Sequence, residues 1–193
     1  STRSRSWPQT LRRIRRYWRS SLARLVVTGF GNVNQALLQI LDSQEAILRD
    51  RFGLEPLVVG VTDSSGAASD PSGLDIRAVL AHKRSGASLA TFPGATPSMD
   101  SVALLRSIDA DYVMEATPTN LRTGQPGLAI AHTTLERGMH AILASKGPLV
   151  LDYDGLVDRA RRAGQQLRFS AAVGGALTTI NSGRRGLAGA RIT

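Results

Sequence analysis

The residues of this 193-residue chain whose types could do chemistry fall at a few places, most of them where an apolar run ends. Lys146, in "ASKGP", precedes Gly147 and Pro148, a rigid turn that would hold its ammonium at a rim. There it could hydrogen-bond a carbonyl or hydroxyl oxygen and take part in its proton transfer during hydride exchange; an ordinary exposed lysine fits the same position. Gly29 and Gly31, in "RLVVTGFGNVNQALLQIL", match the first two glycines of G-x-G-x-x-G, and Asn34 stands where the third belongs. A glycine turn running into a helix leaves the first-turn N–H groups unpaired, and with the positive end of the helix dipole they suit a pyrophosphate. Gly29 permits the tight turn, and Gly31 removes a side chain where the phosphate must approach. The third glycine mainly lets the helix lie close to the sheet, so Asn34 is expected to push the helix outward or turn its amide into the crevice. Asp63, closing "EPLVVGVTD", is placed to accept hydrogen bonds from a ribose and to repel a 2′-phosphate, which favours NAD. Lys83 and Arg84 argue the other way, since either could reach a 2′-phosphate; a solvated helix end suits them equally.

Other chemistries find no support. The absence of cysteine excludes a disulfide framework, a thiolate metal site and a cysteine nucleophile. His82, His132 and His140 lie in no metal-ligand spacing. Neither G-x-x-x-x-G-K-[ST] nor G-x-S-x-G occurs. The acid pairs Asp109 with Asp111 and Asp152 with Asp154 each begin an element and read as capping or turn chemistry.

These residues need elements to hold them, and the apolar pattern supplies strands alternating with helices. Strands are expected at "RLVVTG", "EPLVVGVTD", "DYVMEATP", "HAILAS" and "QLRFSAAV". Helices are expected at "NVNQALLQILDSQEAILRDRFG", "LDIRAVLAHKRSG", "MDSVALLRSI", "PGLAIAHTTLERG" and "DYDGLVDRARRAG", and "SSGAASDPSG" reads as a turn-rich loop. The fold class is α/β: a Rossmann-type, doubly wound parallel sheet with helices on both faces. Ligands of such sheets bind beyond the carboxyl ends of the strands, which points to residues 29–33, 63–65, 116–120 and 145–146.

The net charge of +9 is concentrated in residues 1–24, with eight arginines and no acid; nine less eight leaves +1 for the rest. The body therefore gives no reason to expect nucleic acid. Residues 1–22 read as a basic tail in which Leu11, Ile14, Trp18 and Leu22 recur at helical spacing, followed by one domain over 23–193. A membrane-surface helix, a nucleic-acid arm, an Arg/Ser-rich transit segment and a disordered extension all fit the tail. No apolar run reaches the roughly 18–20 residues of a membrane span. A cytoplasmic location is expected, or an organellar one if the tail is a transit segment.

Taken together, "VVTGFGNVNQALL", "VVGVTDSSGA", "EATPTNLRTGQPG", "ERGMHAILASKGPLVLDYDGL" and "LRFSAAVGGALTTINSGRRGLAGARI" resemble the cofactor-binding domain of homoserine dehydrogenase, from about Arg24 to the end of the chain. The resemblance implies an NAD(P)-dependent oxidoreductase interconverting aspartate semialdehyde and homoserine, on the route to threonine, isoleucine and methionine. It assigns Phe30, Asn32 and Val33 to the pyrophosphate turn, Thr117 to the nicotinamide end, and the catalytic role to Lys146. Ser145 replaces the family's usual Asn before that lysine. Members preferring NADP often carry Arg after the residue matching Asp63; here it is Ser64, which leans towards NAD. The resemblance also implies a sodium ion near the carbonyls of Val173, Gly175 and Leu177, although Ser170 replaces the family's glutamate and weakens the site. Thr178 stands where a proline is common.

The family is usually homo-oligomeric, and a second α/β region follows the matched segment, supplying the groups that hold homoserine. The reading is thus of a cofactor-binding domain that stops where that region is expected, able to bind cofactor but to turn over homoserine poorly or not at all. The competing reading is a non-catalytic nucleotide-binding module whose basic tail contacts nucleic acid or a membrane.

Overall fold

The computed structural model describes residues 21–173. The tail pattern up to Ser20, and Gly175, Leu177 and Thr178, lie outside the described residues. Five strands run parallel: β1 (Ser21–Thr28), β2 (Leu54–Asp63), β5 (Tyr112–Glu115), β6 (His140–Leu143) and β7 (Leu167–Arg168). The short β3 (Gly66–Ser69) and β4 (Ala95–Pro97) add an antiparallel edge, giving the order β4-β3-β2-β1-β5-β6-β7. The α/β, doubly wound expectation holds, with two strands more than the five anticipated. "SSGAASDPSG" is not all loop: Asp63 pairs with Gly66, folding "GAAS" back on β2 as a hairpin. The expected strand "QLRFSAAV" is shorter, two residues of β7 followed by the turn-length α7 (Ser170–Val173).

The helices are α1 (Asn32–Ser43), α2 (Glu45–Phe52), α3 (Ile76–Arg84), α4 (Ser101–Ser107), α5 (Gly127–Glu136) and α6 (Gly147–Ala163). The single long helix expected after the glycine turn breaks at Gln44, whose backbone (φ −115°, ψ 18°) leaves the helical region. Gly53 then ends α2 in the left-handed conformation that glycine adopts without strain. Asp75 caps α3 by accepting from the amides of Arg77 and Ala78. No helix among the described residues is long and apolar enough to cross a membrane.

Strand alternation sends Leu25 and Val27 to one face, where α1 and α3 cover them with Leu38, Val79 and Leu80. Val26 and Val113 face the other side and pack with Leu104, Leu105 and Ile130 of α4 and α5. The register of β1 against β2 shifts between Leu25 and Val26, which pair with Val58 and Gly60. Val59 is thus an extra residue, and beyond it the faces of β2 are exchanged. The bulge has a direct consequence for the site: it turns Asp63 towards α3 and sends Thr62 to α4, where its hydroxyl meets that of Ser101 at 2.6 Å.

Candidate functional site

The chain leaves β1 for β2 on one side and later places β5 on the other, so the strand order reverses between β1 and β5. A cleft of about 760 Å³ opens there, lined among others by Gly29, Phe30, Gly31, Asp63, Ser64, Lys83, Thr117 and Pro126. Such a volume suits a sizeable organic ligand.

The glycine turn forms its inner wall. Gly29 has φ +79°, and a Cβ there would fall 2.7 Å from the Ala116 carbonyl oxygen, so β5 passes too close for any side chain. A Cβ on Gly31 would meet nothing within 4 Å, which leaves open space in front of the first turn of α1. Gly31 occupies the cap position of α1 with no side-chain cap, so the amides of Asn32, Val33 and Asn34 begin the helix without one. The amide of Phe30 is engaged: it donates to the Thr62 carbonyl at 2.9 Å while its ring is buried in the core. Phe30 therefore anchors the turn, and Asn32 and Val33 present it.

Asn34 does not enter the cleft. Its side chain is fully buried, and Nδ2 donates to the carbonyls of Thr28 at 2.9 Å and Gly29 at 3.0 Å, binding α1 to the end of β1. Of the two expectations, the crevice-facing amide is replaced by an internal tie. The side chain that cannot pack as closely as glycine compensates by hydrogen-bonding the strand it would otherwise crowd.

Asp63 and Lys83 form an ion pair between Oδ2 and Nζ, and both line the cleft. Asp63 Oδ1 accepts from the amide and hydroxyl of Ser65 at 2.8 and 2.6 Å. Burial pushes this carboxyl up, but the hydrogen bonds from Lys83 and Ser65 and the lysine's charge outweigh that and hold it below the usual carboxylate range. The two residues that sequence reasoning set against one another are in contact. Arg84 points elsewhere, donating to Gln39 Oε1 at 2.8 Å. Ser64 is the exposed first residue of the hairpin turn.

At the far end of the cleft Thr117 is largely buried and donates to Glu115 Oε1 through its amide at 2.8 Å and its hydroxyl at 2.5 Å. Glu115 Oε2 accepts from Ser145 Oγ, also at 2.5 Å. Ser145 ends the loop after β6, and the exposed Lys146 follows it, its amide donating to Thr119 Oγ1 at 3.4 Å. Lys146 is therefore one residue from a hydrogen-bonded junction joining the ends of β5 and β6. Val173 closes α7, and its two companions in the sodium reading are not described.

Sequence reasoning missed Glu115 altogether. The signal was its parity: in "YVME" it shares a strand face with Val113, which makes it an inward-facing acid. Three of the four paired acids prove more specific than capping. Asp111 binds Arg24 across β1 and β5, Asp109 pairs with Arg137, and Asp152 breaks α6 (φ −151°, ψ 49°) while its Oδ2 meets His132 Nε2 at 2.9 Å.

The profile of the Glutamate/Leucine/Phenylalanine/Valine dehydrogenase family matches residues 9–124. A homoserine dehydrogenase of Methanocaldococcus jannaschii is 34% identical over 168 residues, covering 87% of this chain and 50% of that protein. An NAD(+)-dependent homoserine dehydrogenase of Pseudomonas canavaninivorans is 31% identical over 171 residues, 88% of this chain and 49% of that protein. The crystal structure of a homoserine dehydrogenase from Thermoplasma acidophilum superimposes with a TM-score of 0.65 at 28% identity, over 78% of this chain and 44% of that one. The chain spans about half the length of the relatives it matches. A 168-residue match within 193 residues must include positions 26–168, so the likeness extends through Ser145 and Lys146, beyond the end of the family profile.

Proposed function

Because the chain belongs to the Glutamate/Leucine/Phenylalanine/Valine dehydrogenase family, with homoserine dehydrogenases among the relatives that match most of its length, we propose that it forms the cofactor-binding part of an NAD(P)-dependent homoserine dehydrogenase. The observation that carries the reading is the cleft at the β1/β5 switch, where an uncapped helix start, a side-chain-free Gly31 and Asp63 line one wall. That combination fits a dinucleotide: amides and helix dipole for the pyrophosphate, a carboxylate for the adenosine ribose.

Bound there, the nicotinamide supplies or accepts the hydride exchanged with the carbon that bears oxygen in the substrate. Gly31 leaves room for the pyrophosphate, and the amides of Asn32 and Val33 hold it. Asp63 accepts from the ribose, while Lys83 beside it offers a cation to a 2′-phosphate, so the pair favours NAD and still admits NADP. Thr117 borders the nicotinamide, and the Lys146 ammonium holds or moves a proton at the oxygen of homoserine or the semialdehyde.

The reading is tested by fluorescence titration of the purified chain with NADH and NADPH in parallel. Saturable binding of both, tighter for NADH, is expected; binding of neither by a folded chain overturns it.

A further inference from the structure

Glu115 has no role in the reading above, yet its surroundings are built around it. Its side chain is fully buried at the end of β5. Three donors converge on its two oxygens, the amide and hydroxyl of Thr117 on Oε1 and the hydroxyl of Ser145 on Oε2. An ionised carboxylate, which only accepts, is satisfied by such a set. The start of α5 closes over the same group: a Cβ on Gly127, the first helical residue, would lie 3.1 Å from Glu115 Oε1 and 2.8 Å from Ser145 Oγ. Only glycine lets the positive end of that helix approach so near, and that end favours an anion. Among the described residues no Lys, Arg or His forms an ion pair with Glu115. Thr117, which is bonded to it, and Pro126, the neighbour of Gly127, line the cleft.

We propose that Glu115 is a buried anion that fixes the positions of Thr117 and Lys146 and makes the cleft favour the oxidised, positively charged nicotinamide over the reduced, neutral ring. The inference rests on the proposed function, which places the nicotinamide against Thr117. A negative charge behind that wall, screened by protein rather than by bulk water, attracts a cationic ring and is indifferent to a neutral one. The hydrogen bonds through Thr117 and Ser145 bring the two strand ends to a common point, so the acid serves as a positioning residue and does not itself touch the reacting atoms.

The test compares NAD+ and NADH affinities, by calorimetry on the full 193-residue chain, for the wild type, Glu115→Gln and Ser145→Ala. Glutamine keeps the size and one acceptor but removes the charge. NAD+ should bind about tenfold more weakly to Glu115→Gln and NADH within about threefold of the wild type, whereas Ser145→Ala, which keeps the charge, should leave the ratio of the two affinities unchanged. A purely structural role would weaken both cofactor forms alike, and an unchanged ratio in Glu115→Gln overturns the proposal. Failure of the wild type to bind either form overturns the functional reading and this inference with it. Should Glu115→Gln not fold, the carbon-13 carboxyl shift of Glu115 in labelled wild-type protein at pH 7 decides: an ionised shift supports the buried anion, and a protonated one overturns it.

Discussion

Asn34 shows how one residue can depart from a fingerprint and still preserve what the fingerprint is for. Its amide replaces close packing with two hydrogen bonds to the carbonyls of Thr28 and Gly29, so the site does not gain by restoring glycine. Asn34→Gly should lose about 2 kcal/mol of stability in urea unfolding, from the missing hydrogen bonds and the added helix glycine, with no rise in NADH affinity. Tighter NADH binding by a variant of undiminished stability would show that Asn34 obstructs the cleft. Asp63 carries a pH signature as well. Its folded-state carboxyl is held below the ordinary range, so it stabilises the fold at pH values above about 4, and the contribution fades as pH falls from there towards the folded value. Asp63→Asn should cost about 1 kcal/mol at pH 7, modest because Lys83 keeps some access to water, and the gap from wild type should close in unfolding curves taken below about pH 4. A gap that widens on acidification would mean that some other group is responsible. That Asp63 and Lys83 would meet was not legible in the sequence: they are 20 residues apart, and the Val59 bulge that turns Asp63 towards α3 is marked only by Gly60, a single glycine inside the apolar run.

The elements that were read correctly are those with strong local signals. β1, β2 and β5 are apolar runs bounded by turns, and α3 begins at an aspartate that caps it. The elements that were missed have weak ones. "GAAS" lacks the branched and aromatic residues that favour strands and "ATP" has only Thr96; β3 forms because the tight hairpin at Asp63 and Gly66 delivers it to the sheet edge, and β4 by pairing with β3. The break at Gln44 was equally silent, for no glycine or proline marks it. The turn between β1 and α1 is where local signal and tertiary constraint can be separated by experiment. Gly29→Ala should cost at least about 2 kcal/mol, since its left-handed backbone and the Ala116 carbonyl both exclude a methyl group. Gly31→Ala, with φ −90° and open space around the new carbon, should unfold within about 0.5 kcal/mol of wild type yet bind NADH at least about tenfold more weakly, because the methyl group occupies the approach to the first-turn amides. Undiminished NADH binding by Gly31→Ala would move the pyrophosphate away from this turn.

At the scale of the molecule, charge and fold separate along the chain. β1 begins at Ser21, and Arg24 within it is committed to the fold through Asp111, whose carboxylate takes the Arg24 amide at 2.8 Å and its guanidinium at 3.2 Å. The arginines outside the described fold are seven in residues 1–20 together with Arg184, Arg185 and Arg191, and +9 less ten leaves −1 for residues 21–173. A body so nearly neutral has little electrostatic pull on a polyanion, whereas a seven-arginine segment without acids has a strong one. Deleting residues 1–20 removes that segment and leaves every strand of the sheet and every cleft-lining residue in place. NADH affinity and the thermal midpoint should therefore be unchanged within error in the deletion variant. Any DNA binding by the full chain, measured by fluorescence anisotropy across a salt series, should fall steeply with salt and disappear with the segment. Loss of cofactor binding on deletion would instead make the basic segment part of the nucleotide site. DNA binding that survives deletion would place a polyanion surface within residues 21–193.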